Sequence, residues 1–106
     1  MKWAIVLSQT EPETCWNALR LANYALFEGD EVGVFLAGKG VELDKIEDPD
    51  FNVRSEAEKF IKDGGRIEAC GTCLVFRNSK GSELCPVHNL KDMYDMIAEA
   101  DKVVSF

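Results

Sequence analysis

The chain opens on an unbroken apolar stretch, Trp3-Ala4-Ile5-Val6-Leu7, with no polar residue alternating in. That continuity marks a strand covered on both faces, the pattern of a parallel sheet. The spacing then changes. Thr10-Glu11-Pro12-Glu13 reads as a capping box, in which the Thr10 hydroxyl and the Glu13 carboxylate satisfy the free amides of a helix start and Pro12 is tolerated in the first turn. Cys15, Ala18, Leu19, Ala22, Ala25 and Leu26 follow at helical spacing, and Gly29 ends the run.

Residues 31–36 (Glu-Val-Gly-Val-Phe-Leu) form a second buried strand, and strand-helix-strand order implies a right-handed crossover onto the same sheet. Residues 42–50 hold five acids and one Lys and read as a solvated loop with a short helical turn over 41–46. A second capping box, Ser55-Glu56-Ala57-Glu58, opens a helix with Ala57, Phe60 and Ile61 facing inward, closed by Gly64-Gly65. Residues 66–69 are a third strand. Cys70-Gly71-Thr72-Cys73 then turns into a short helix that ends before Gly81, and 83–87 is a short strand. Asn89 caps a last helix with Leu90, Met93, Tyr94 and Ile97 on one face, and 102–106 complete the sheet.

This alternation predicts a single α/β domain over residues 1–106: a three-layer α/β/α sandwich around a mostly parallel sheet of four or five strands. Ligands of such sheets bind outside the carboxyl ends of the strands, which singles out Ser8-Gln9-Thr10 and Cys70-Gly71-Thr72-Cys73.

Composition narrows the function. With 46% hydrophobic residues and 29% charged, the chain supports one modest core. A net charge of −7 argues against nucleic acid and anionic membrane surfaces as partners. The opening apolar run is too short for a signal-peptide core or a bilayer span, so the expected location is the cytoplasm. The four cysteines are then chemistry, metal ligands or buried filler rather than disulfide staples. No GxxxxGK[ST], GxGxxG or HExxH motif occurs, and no cofactor is expected.

Cys70 ends a strand and begins a helix, where free amides favour an anion, and residues 66–81 carry Arg66, Arg77 and Lys80 against Glu68 alone. Both effects favour a thiolate. Cys73 completes a CxxC pair able to exchange sulfur with Cys70. Thioredoxin-like proteins place CxxC after an early strand, so this late pair is no thioredoxin site. The alternative is a zinc-binding module: Cys70, Cys73, Cys85 and His88 form a CxxC and a CxxH with zinc-like local spacing, although the domain has enough core to need no metal. His88 near Cys70 is also placed to assist thiol deprotonation. Cys15, Met93, Met96, Trp3 and Trp16 read as packing residues.

At these residues the chain resembles the DsrE/DsrF/TusD family of small sulfur-relay proteins, including the YchN-like members. The likeness covers the first strand, residues 16–26, residues 32–38 and residues 68–74. Ala69-Cys70-Gly71-Thr72-Cys73-Leu74 and Asn89-Leu90-Lys91-Asp92-Met93-Tyr94 are especially similar to the DsrE-like domain of YedF-type proteins. The resemblance implies a homo-oligomer built on trimers or hexamers, and a strand-end cysteine, here Cys70, that carries sulfane sulfur as a persulfide between donor and acceptor proteins. On that reading Gly71, Thr72 and Arg77 stabilise the anion and Cys73 releases the sulfur. Relay members often carry Arg-Gly after the cysteine; here Cys73 follows, and Arg77 precedes Asn78.

Overall fold

Burial on both faces is what a run such as Trp3-Ala4-Ile5-Val6-Leu7 requires, and the sheet supplies it. The computed structural model describes residues 1–106. Five strands, β1 (Lys2–Leu7), β2 (Glu31–Leu36), β3 (Arg66–Cys70), β4 (Val87–His88) and β5 (Lys102–Ser105), form one sheet in the order β4-β3-β2-β1-β5. Every pairing is parallel. Helices α1 (Pro12–Phe27), α2 (Val53–Lys62), α3 (Gly71–Phe76) and α4 (Leu90–Glu99) connect them, with a 3-10 segment at Gly38–Lys45. None of the helices is long and apolar enough to cross a membrane.

Alternate residues of each strand serve different layers. Ile5, Leu7, Val34, Leu36, Ile67 and Ala69 belong to the large core beneath α1 and α2, with Leu19, Ala22, Ala57 and Phe60. Ala4 and Phe35 point the other way, into a smaller cluster with Met96 of α4. The predicted three-layer sandwich is observed, with five parallel strands.

Element boundaries depart from the sequence reading where local chemistry overrides it. Helix α1 is capped by Glu11, whose carboxylate accepts from the Glu13 and Thr14 amides, not by Thr10. A residue before proline is pushed out of the helical region, so Glu11 stays extended and Pro12 becomes the first helical residue. Helix α2 starts two residues before Ser55: the Asn52 side chain accepts from the Ser55 amide, and an Asn outcompetes a Ser already inside the turn. Ile61, expected inside, is 39% exposed.

Helix α4 is rotated from its predicted face. Asn89 and Asp92 form the reciprocal capping box, but Met96 is the buried residue while Leu90 and Tyr94 are 74% and 71% exposed. Gly33 explains the rotation, because a Cβ there would stand 2.8 Å from Met96 Cε and 2.9 Å from its sulfur. Met96 fills the notch that the missing side chain leaves in β2.

The acidic stretch after β2 is also more than a solvated face. Glu42 pairs with Arg77 at 3.2 Å, the Asp44 carboxylate accepts from Ser82 Oγ at 2.7 Å, and Asp48 accepts from the Asp50 and Phe51 amides. Trp3 donates to Asp30 and Trp16 packs on Phe51, so both tryptophans are packing residues as expected.

Two outcomes test this packing. Gly40 lies against the end of β1, where an added Cβ would run into the Leu7 carbonyl oxygen. Gly40→Ala therefore loses on the order of 1–3 kcal/mol in urea unfolding. Cys15 is fully buried, and burial pushes its thiol up to about 11 from the ordinary 9.0. Its neutral form is thus a native-state requirement: the contribution is intact below about pH 9 and is lost as pH rises through 11. Between those limits the wild type loses about 2–3 kcal/mol relative to Cys15→Ala, measured by urea unfolding across the pH range.

Candidate functional site

The carboxyl end of β3 is where the sheet hands a cysteine to a helix. Cys70 is the last residue of β3 and the N-cap of α3, in an extended conformation. Gly71 lets α3 begin close against β4, since a Cβ there would meet the His88 carbonyl oxygen at 2.9 Å. One turn on, Cys73 returns toward Cys70. Both thiols are half-buried, whereas Cys15 and Cys85 are sealed in the core; all four are free.

The stabilising contacts fall on Cys73 rather than on Cys70. The Gly38 amide donates to Cys73 Sγ at 3.2 Å, reaching across from the segment after β2. Burial and then the neighbouring Cys70 thiol push the Cys73 thiol up, while the Gly38 N–H and the Arg77 guanidinium pull the other way. Cys70 makes no capping hydrogen bond to the first turn of α3. Arg77, expected to hold an anion at Cys70, donates through Nε to Glu42 and through Nη1 to the Cys73 carbonyl at 3.1 Å. It closes the helix end, and its nearby sulfur is that of Cys73. Thr72 is exposed on the first turn.

The zinc set is not assembled. Cys85 lies in the core beside the Ser82–Asp44 pair, its amide donating to Ser82 Oγ, and burial raises its thiol. His88 faces carboxylates instead: its Nδ1 is 3.0 Å from Asp92 Oδ2 and 3.8 Å from Glu68 Oε1. The metal-capable group that the fold brings together is Glu68, His88 and Asp92, and it contains no cysteine. A CxxH spacing on a strand end cannot converge when its cysteine points into one layer and its histidine into the other.

His88 is nonetheless the β4 partner of Cys70 in the sheet register. The loop after β1, the other candidate, is occupied by structural bonds: Ser8 donates from both its amide and its hydroxyl to the Phe106 carbonyl, and the Cys15 thiol donates to the Gln9 carbonyl. The sequence reading missed the Gly38 donor and the Glu42 partner, which come from a segment distant in the chain. Glu68 was legible in principle, since it stands two residues before Cys70 on one strand and shares its face.

The burial difference predicts a selective labelling pattern. Iodoacetamide at neutral pH modifies Cys70, and Cys73 more slowly, in the folded protein and reaches Cys15 and Cys85 only in denaturant, as peptide mass mapping reads out; early labelling of Cys85 would contradict this geometry.

Known proteins share this architecture. The structure of YchN from E. coli superposes with a TM-score of 0.86 at 23% identity, covering 100% of this chain and 99% of that one. A conserved protein of unknown function, BT1422 from Bacteroides thetaiotaomicron, superposes at 0.78 with 19% identity, covering 99% and 94%. Among sequences, the uncharacterized protein MJ0989 of Methanocaldococcus jannaschii is 34% identical over 114 aligned positions, spanning 100% of both chains. The uncharacterized protein MK0008 of Methanopyrus kandleri is 36% identical over 103, covering 89% of this chain and 83% of its own. The DsrE/DsrF-like family model matches residues 1–106, and the chain belongs to that family, which is associated with sulfur relay.

Proposed function

We propose that the protein is a sulfur carrier in which Cys70 accepts sulfane sulfur from the persulfide of a donor protein and hands it to an acceptor. The observation that carries this reading is the half-exposed Cys70/Cys73 pair at the carboxyl end of β3, set apart from two sealed cysteines in the same chain. The Cys70 thiolate attacks the outer sulfur of the donor persulfide, and the donor leaves as a thiolate. Attack by an acceptor thiolate on the outer sulfur of the Cys70 persulfide then returns Cys70 as a thiolate, with no net oxidation. Burial and the adjacent thiol push the Cys73 thiol up, which disfavours its thiolate and leaves loading to Cys70. Gly71 and Thr72 contribute the turn, and Arg77 contributes positive charge on the Cys73 side.

The likeness of residues 69–74 and 89–94 to YedF-type domains agrees with such a role for sulfur or selenium. We further propose that the protein works in the cytoplasm as a homo-oligomer, a trimer or hexamer. Exposed Val75, Phe76, Val87, Leu90 and Tyr94 on the elements around the β4 edge support an interface there.

Incubation with a persulfide donor followed by intact-mass measurement tests the relay. Wild type gains one sulfur per chain, Cys70→Ser gains none, and Cys73→Ser still loads. An unchanged wild-type mass, or equal loading of Cys70→Ser, overturns the proposal.

A further inference from the structure

The relay reading leaves one group of side chains unused. Glu68 on β3, His88 on β4 and Asp92 in the first turn of α4 each present one ligand atom, and the three atoms lie within 4.8 Å of one another. None of the glycine, helix-end or thiol features of the cysteine site brings them together; the β3–β4 register and the i, i+4 step from His88 to Asp92 do.

Glu68 is the telling member. It is 7% exposed, and a carboxylate so far out of water needs compensation. Arg66 Nε stands 3.2 Å from Oε2. Oε1, by contrast, accepts no hydrogen bond; the cation-capable atom facing it is His88 Nδ1 at 3.8 Å, beyond hydrogen-bond reach. An oxygen of this nine-tenths buried side chain, itself still touched by solvent, thus faces without a hydrogen-bond partner a group that already holds an imidazole nitrogen and a second carboxylate.

We propose that Glu68, His88 and Asp92 bind a divalent transition-metal cation such as Zn2+. Four ligands at about 2.0–2.2 Å from zinc stand about 3.3–3.6 Å apart in a tetrahedron. The His88–Asp92 and His88–Glu68 separations, 3.0 and 3.8 Å, bracket that spacing. One imidazole with two carboxylates suits zinc and cobalt, and three protein ligands leave a position for water or an exogenous donor. The entering cation takes the place of the proton between Nδ1 and Asp92, and the ring binds as the neutral imidazole with its one proton on Nε2. Partners for the ligands are already in place: Arg66 lies against the other oxygen of Glu68, and the Asn89 amide donates to Asp92 Oδ2 at 3.2 Å. The proposal does not rest on the sulfur-carrier reading, because it uses neither thiol.

The test is a titration of the metal-free full chain with Zn2+ by calorimetry, and with Co2+ by visible absorption and NMR. His88 is the only histidine, so its imidazole signals report on the site without ambiguity. The expected result is one equivalent per chain, Co2+ bands without thiolate charge transfer, and shifted or broadened His88 signals. His88→Ala and Glu68→Gln each weaken binding about tenfold or more, the scale on which even outer partners of a metal site act. Glu68→Gln keeps the side-chain shape and gives the answer should His88→Ala fail to fold. The Cys70→Ser/Cys73→Ser double variant binds as wild type. Absence of saturable binding up to about 0.1 mM metal, wild-type affinity in Glu68→Gln, or loss of binding in the double cysteine variant overturns the proposal.

Discussion

The short parallel pairing of β3 with β4 is the constraint on which the cysteine end of the molecule depends. It couples only Ala69 to Val87 and Cys70 to His88, anchored by the Ala69 amide on the Pro86 carbonyl at 2.8 Å. Yet it decides where the strand stops, and hence where Cys70 meets α3. It also presses the His88 backbone against Gly71, leaving no room for a side chain there, and aligns Glu68, His88 and Asp92 around one point. A two-residue strand at a sheet edge is a small investment of hydrogen bonds, but every group at this end takes its position from it.

The architecture was legible because its signal is redundant. Continuous apolar runs in β1 and β2, the helical spacing from Cys15 to Leu26 and the terminal Asn89 cap each point to the same layered sheet. What the sequence left ambiguous is the rotation of α4, since Leu90, Met93, Tyr94 and Ile97 are as well spaced as Met93, Met96, Ile97 and Ala100. The choice between the two faces is made by Gly33, an absence of side chain on a strand far away in the chain. Periodicity measures spacing within an element and carries no information about the surface that receives it.

The candidate site was legible in the same partial way. Cysteine spacing found Cys70 and Cys73, and strand-helix alternation put them at the carboxyl end of the sheet. Spacing alone also suggested that Cys85 and His88 join them, which the fold refuses by sending Cys85 into the core while His88 turns to Glu68 and Asp92. Electrostatics by composition was coarser still. A net excess of cations over residues 66–81 is real, but Arg77 is neutralised by Glu42 from the acidic stretch and Arg66 by Glu68, while Lys80 alone is exposed outside any ion pair. Two of the three charges that look available along the chain are committed in space.

That commitment shapes what a partner can recognise. With a net charge of −7 and its nearest cations paired, the cysteine end offers little positive field to steer an acidic protein toward it. The edge strand is too short to extend a partner's sheet, since two residues expose few backbone groups. What this end does offer is apolar: Phe76 is 83% exposed, and Val75, Val87, Leu90 and Tyr94 accompany it on adjoining elements. In the proposed homo-oligomer these residues meet a second copy of the chain. Non-directional apolar contact between copies would then shield the cysteine turn from bulk water, and the paired charges around it would hold any other protein only weakly.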